Sequence, residues 1–376
     1  MKKILLPVFL FLTAAACADR SLDADIVKVF ERHSYEAQSP QKIADALKPR
    51  GFSGLAALDR HAKVVAAPKK LKGLPGAVST GLLLGARDGG LYVVKVFQKS
   101  PGAAAGLKDG DRIVEINGAL TAAGDAFGRL ADRAGFAVKA ERRTRGGSVI
   151  VAAAVKKEYF SFPVIFGFYE PATKTAFVRI GMFYQGSAGV VAAGLDALTR
   201  LGAKKVIFDL RDNAGGVPGE AAGLLKEFAP KAGPVLEVKS RHKGYCQFFE
   251  APGRGRYASL KAAVLVNSGT AKAAEAFAAA LGELAGAPIV GEATRGDVSL
   301  VKTFNLGRSK KGLKLTVARI FPPSGADLEE KGVRPDVDPG LTPGEIEKTR
   351  SAWAASGETA LLGDAAYDKA LEVLNK

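Results

Sequence analysis

Lys272 stands where the sequence builds a display for a reacting side chain. The apolar run from Ala262 to Asn267 reads as a strand, Ser268-Gly269 as a tight turn, and the alanine-rich stretch to Leu284 as a helix. Such a junction exposes one side chain at its tip and aims helix N–H groups outward, which suits a nucleophile and a developing oxyanion. A lysine there faces the positive end of the helix dipole and requires a compensating anion. Three hydroxyls lie close by in type or in sequence. Thr270 reads as the N-cap of the helix, Ser268 as a turn residue bonded to local backbone, and Ser299 has no base assigned to it. The histidines, His33, His61 and His242, are scattered without metal-ligand spacing, so neither a metal nor a cofactor is expected. Cys246, within Gly244-Tyr-Cys-Gln-Phe-Phe249, reads as a half-buried strand residue rather than a reactive thiol.

The elements that must position these residues alternate. Thr175–Ile180 reads as a strand, 188–201 as a helix, and Lys205–Leu210 as a buried strand ending in Arg211-Asp-Asn-Ala-Gly-Gly216. A helix to about Phe228, the strand and helix around Lys272, and strands at 287–291 and 312–318 complete the series. That order predicts an α/β core over residues 172–340 with a mixed, largely parallel sheet. Before it, residues 21–68 carry helical periodicity through Ile26, Val29, Phe30, Ile43, Leu47, Leu55 and Leu58, and 68–75 reads as a linker. Residues 341–376 read as a helical tail.

At 376 residues, with 47% hydrophobic and 24% charged residues, the chain has room for several domains of ordinary globular composition. Lys2-Lys3, an apolar stretch from Ile4 to Leu12 and small residues up to Ala18 have the form of an export signal over residues 1–18, too short to span a bilayer. Two cleavage modes stay open. Ala-Cys-Ala before Asp19 suits ordinary signal peptidase, while Ala-Ala-Ala-Cys17 resembles a bacterial lipobox, with Ala14 in place of the favoured leucine and Cys17 as the lipidated residue. The expected location is the periplasm or cell envelope, with membrane attachment through Cys17 in the second case. The net charge of +16 is spread along the chain without interleaved aromatics, which argues against nucleic acid as a partner.

Residues 76–156 contain Ser100-Pro-Gly-Ala-Ala-Ala-Gly106-Leu-Lys-Asp-Gly-Asp111-Arg-Ile-Val-Glu-Ile-Asn117-Gly118, which resembles a PDZ domain. The resemblance implies a groove that adds an extended peptide as a strand, with Thr80, Gly81, Leu82 and Leu83 at the carboxylate-binding loop.

Four segments in order carry a wider resemblance. They are Tyr35 with Leu58-Asp59-Arg60-His61, Asp209-Leu-Arg-Asp-Asn-Ala-Gly-Gly216, Gly291-Glu-Ala-Thr294, and Gly332-Val-Arg-Pro335-Asp336. Together they resemble the C-terminal-processing (tail-specific) serine peptidases. That family places its nucleophile at the middle serine of a Ser-Ala-Ser-Ala-Ser-Glu run, which falls on Lys272 here. Its lysine base falls on Asp297, and the glutamine that orients the base falls on Val301. Gly215, Gly216 and Ala273 correspond to its oxyanion region. A serine–lysine dyad needs a hydroxyl and a neutral amine, and these positions supply neither. The resemblance therefore implies an exported scaffold or pseudopeptidase that captures polypeptide C-termini or an envelope protein, with Lys272 and Asp297 paired. The alternative is an active serine endopeptidase using Thr270, Ser268 or Ser299 as a displaced nucleophile.

Overall fold

The computed structural model describes residues 10–66, 77–87, 90–120, 135–144, 146–160, 163–307, 309–340 and 364–376. The expected linker at 68–75, and all of the expected tail before Asp364, lie outside these residues.

Helix α1 (Leu10–His33) runs without a break past Cys17-Ala18-Asp19, and no described helix is long and apolar enough to cross a membrane. Helix α2 (Pro40–Arg50) begins where Ser39 caps the Lys42 N–H and Pro40 presets the first turn. Ile26, Phe30, Ile43 and Leu55 are fully buried and join the main core, as the helical spacing predicts. The stretch is not helical to its end. Lys63–Ala66 is a strand, β1, whose two central valines favour extended backbone and which pairs antiparallel with β18 (Lys311–Phe321).

A separate sheet of order β3-β4-β5-β7-β8 follows, made of β3 (Leu82–Arg87), β4 (Gly90–Val96), β5 (Arg112–Ile116), β7 (Gly135–Thr144) and β8 (Gly147–Lys156). Strand β6 (Ala119–Leu120) pairs with β5, while β2 (Ala77–Ser79) and β9 (Glu158–Phe160) pair with each other. Ser100 caps the short helix α3 (Pro101–Ala104), and Leu82, Leu91, Ile113 and Phe136 belong to a core of this unit's own.

The central sheet has the order β10-β11-β12-β15-β16, from β10 (Ile165–Glu170), β11 (Thr175–Ile180), β12 (Lys205–Asp209), β15 (Lys261–Val266) and β16 (Ile289–Gly291). All pairings are parallel except β10 with β11. Its inner strands β11, β12 and β15 are buried on both faces. Val178, Phe208 and Val264 face α4 (Ser187–Arg200), α5 (Pro218–Lys226) and α6 (Ala273–Ala285), while Phe177, Ile207 and Leu265 face α7 (Ala365–Asn375). The sequence reading did not anticipate the antiparallel sheet beside it. There β18 pairs with β1, with β13 (Gly233–Lys239) and with β17 (Ser299–Asn305), and β14 (Gln247–Ala251) pairs with β13. Cys246 is a correction to the expectation above. It precedes β14, is exposed, and donates from Sγ to the Ser240 carbonyl at 3.2 Å, because a 3-10 turn at Lys243–Tyr245 lifts it off the edge of the sheet.

Candidate functional site

Lys272 is itself the N-cap of α6, with φ 57° and ψ −122°. A side-chain-bearing residue in that region stores about 1–3 kcal/mol of strain and persists only when its surroundings hold it. Glu275, fully buried, does much of the holding. Its Oε2 accepts the Lys272 and Asp297 N–H groups at 3.1 and 2.9 Å, and its Oε1 accepts the Gly296 N–H at 2.6 Å and the Thr294 hydroxyl. Burial pushes the Glu275 carboxyl up, and those four hydrogen bonds act against the shift. The Lys272 N–H also donates to the Asp297 carbonyl at 2.6 Å. Helix start and 294–297 loop are thereby locked together.

The lysine side chain finishes the lock. Lys272 Nζ lies 2.8 and 2.9 Å from the two Asp297 carboxylate oxygens and 2.8 Å from the Ser299 carbonyl oxygen. An ammonium has three N–H donors, so all three are committed. Burial would raise the Asp297 carboxyl, but hydrogen bonds from His61 and Lys272, with the Lys272 charge, hold it well below the usual carboxylate range. The sequence expectation that the two pair is met in full. Val301, at the β17 bulge, is apolar and adds no polar group.

The three hydroxyls fare differently. Thr270 is not the N-cap. Its buried Oγ1 donates to the Leu210 carbonyl at 2.9 Å and accepts the Asn267 N–H at 3.1 Å, tying the turn to the residue after β12, three residues before the helix starts. Ser299 is 1% exposed and donates to Glu329 Oε1 at 3.0 Å. Ser268 is exposed.

Of the three oxyanion-region amides, that of Gly215 is turned away, donating to Asn213 Oδ1 at 2.8 Å. Gly215 still has to be glycine, since at φ 102° a Cβ would stand 2.6 Å from Lys272 Cβ. At Gly216, φ 128°, a Cβ would overlap the Phe183 carbonyl. Ala273 is the first residue of α6. Behind this loop, buried Asp209 binds both Arg179 and Arg211, and Arg211 continues to Asp364, the N-cap of α7, at 2.7 Å. Burial alone would raise the Asp209 carboxyl, but the two guanidiniums bring it down to about 2.

In the separate sheet, Thr80, Leu82 and Leu83 are fully buried. The Thr80 and Gly81 carbonyls accept from Gly102 and Phe97, and Leu83 packs with Phe97 of its own unit and with Phe168 and Phe177 of the central sheet. Residues 121–134, which follow β6, lie outside the described residues.

Sequence reasoning did not place three neighbours in the site. Arg60 reaches Glu329 Oε1 and the Gly296 carbonyl, both at 2.6 Å, and His61 Nε2 lies 3.3 Å from Asp297 Oδ1. The same ring nitrogen is 3.3 Å from Arg60 Nε, so it either accepts from Arg60 or donates to Asp297, according to tautomer. Arg60 and His61 carried only the motif around Leu58, and Glu329 carried no signal. His61, Asp297 and Glu329 together have the ligand types of a metal site, their atoms lying within 4.8 Å of one another. They fit one poorly. Lys272 and Arg60 already neutralise the two carboxylates and occupy their lone pairs, so a divalent ion would have to displace both cations.

Residues 174–338 match the model of peptidase family S41. They are a peptidase family S41 domain. The carboxy-terminal processing protease CtpA of Bacillus subtilis is 29% identical over 256 residues, covering 67% of this chain and 53% of that protein. The chloroplastic carboxyl-terminal-processing peptidase 2 of Arabidopsis thaliana is 31% identical, covering 70% and 54%. The chain thus spans about half the length of the curated relatives it matches. Among solved structures, the photosystem II D1 C-terminal processing protease covers 90% of this chain and 99% of its own at TM-score 0.52 and 20% identity, a likeness of fold. Lys272, Asp297 and the glycines of 215–216 all lie within the S41 domain.

Proposed function

We propose that this chain is an exported polypeptide-binding relative of the C-terminal-processing peptidases that does not cleave what it binds. The observation that carries this reading is the Lys272 ammonium, held at 2.8 to 2.9 Å by Asp297 and the Ser299 carbonyl at the tip of the strand–turn–helix junction. A protonated amine committed in this way is neither nucleophile nor base. The hydroxyls of Thr270 and Ser299 are buried and committed elsewhere, which further supports a silent site. In this reading the Thr80–Leu83 segment belongs to a PDZ-type unit that receives polypeptide C-termini. Cys17 is a lipid attachment point in the cell envelope, and no nucleic acid is bound.

The test is binding and cleavage of unstructured polypeptides with apolar C-termini, measured on one preparation. Binding without cleavage is the expected result. Ser268 is the exposed hydroxyl of the three, so cleavage abolished by Ser268→Ala would overturn the proposal and name the nucleophile.

A further inference from the structure

The separate sheet ends on a strand with one free side. Strand β8 pairs residue for residue with β7 over ten positions without a bulge, and among the described residues no strand lies on its other edge. Alternate residues of an antiparallel ladder turn their N–H and C=O groups outward, so that edge carries a row of donors and acceptors open to another chain. Such edges are ordinarily guarded by a lysine, a proline or a bulge. From Gly147 to Val155, β8 has no charged residue and no proline, in a chain where 24% of residues are charged. Val149 and Ile150, on opposite faces of the strand, are 47% and 62% exposed.

The order of side-chain sizes points to the occupant. The first half of β8 carries Val149 and Ile150, the second Ala152, Ala153 and Ala154. When a second copy lies antiparallel with the two-fold axis at Val151, Ile150 stands opposite Ala152 of that copy and Val149 opposite Ala153. Large meets small along the seam. The flanking charges fit the same arrangement. In β7, Glu141 is the partner of Ile150, Lys139 of Ala152, and Arg143 of Ser148. The row through Glu141 and Ile150 therefore continues through Ala152 to Lys139 of the second copy, and the row related by the axis runs from Lys139 to Glu141. The row through Arg143 and Ser148 ends on Ala137, the partner of Ala154. No like charges share a row, so a chain of net charge +16 meets itself there without local repulsion. An unrelated extended peptide would also fill the ladder, but it would not account for this order of sizes and charges.

We propose that β8 is a self-pairing edge through which two copies of this chain form a two-fold dimer. Their sheets join into one of order β3-β4-β5-β7-β8-β8-β7-β5-β4-β3, with the two β3 strands at its opposite edges. The pairing goes beyond the polypeptide-binding reading and does not depend on it. One strand pair is a small interface, so the dimer should dissociate in the micromolar range.

The test is sedimentation equilibrium of the full chain over a concentration series, with folding checked by circular dichroism. The mass should rise from one chain towards two and stop there. Ile150→Lys and Ala152→Glu both change exposed positions, and within one chain each new charge faces its opposite on β7, Glu141 or Lys139. Either change alone should weaken the dimer about tenfold, because it sets like charges diagonally across the axis. The double variant sets opposite charges against one another across the seam and should restore association. A mass of one chain throughout, or one that climbs past two, overturns the proposal. A dimer that neither single variant weakens uses another surface and overturns it too. So does a double variant that fails to recover, since the antiparallel register requires that it should.

Discussion

Lys272 and Asp297 join the start of α6 to the 294–297 loop through two ammonium–carboxylate contacts of 2.8 and 2.9 Å. Lys272→Ala leaves the Asp297 carboxylate with His61, the Ser299 N–H and the more distant Arg60, and should lower stability by about 1–3 kcal/mol with no effect on polypeptide cleavage, read by denaturant unfolding and a peptidase assay. The Asp297 carboxyl is depressed in the folded state. Its stabilising contribution is therefore complete above the ordinary carboxylate range, about pH 4, and is lost as pH falls below that towards the depressed folded value. Asp297→Asn should flatten this acid limb of the stability–pH curve. An unchanged limb would assign it to other carboxylates, such as Asp209, whose value is also low. Much of this residue-scale picture was legible beforehand. A cation at a helix start demands an anion, and the Thr294-Arg-Gly-Asp297 segment offered one. Glu329 and the second role of Arg60 were not legible, because they depend on contacts hundreds of residues apart in sequence that no local spacing announces.

At the scale of elements, α1 is fastened by aromatic and imidazole contacts. The His33 ring stacks on Phe304 at 4.2 Å, its Nδ1 lies 2.9 Å from the Tyr245 hydroxyl, and His242 stands beside it. Burial lowers both histidines, His33 also feeling Arg32, His242 and Lys302, and His242 feeling Arg241 and Arg32. A histidine depressed by folding supports the fold above its unfolded value, about pH 6.5, and withdraws that support as pH falls through the lowered folded value. The protection factors of the α1 amides, exchange rates corrected for the intrinsic pH dependence, should therefore fall on acidification, and His33→Phe should blunt the effect. Strands β11, β12 and β15 and helices α4 to α6 were legible to within about two residues, because each is long enough to show its period. The antiparallel sheet was not. β17 is half-exposed with a bulge, and β13 and β14 carry short, mixed patterns that only β18 makes sense of.

For the whole molecule, the two faces of the central sheet have different custodians. One is covered by α4 to α6, the other by α7 together with Leu83 and Phe97 of the separate sheet. Asp364→Ala removes a partner of buried Arg211 and should destabilise the molecule by about 3–5 kcal/mol, measured by denaturant unfolding. Removing 364–376 should go further, uncovering Phe177, Ile207 and Leu265 and producing aggregation visible by light scattering. The Arg211–Asp364 contact also has a consequence in time. Synthesis proceeds from the N-terminus, so Asp209, the buried carboxylate that also binds Arg211, exists before Asp364 emerges. Until then the loop leading to Gly215 and Gly216 carries a half-matched guanidinium under an uncovered sheet face. The nascent chain must pass through a more adhesive state before residues 364–376 are made, when a chaperone has most to gain by holding it.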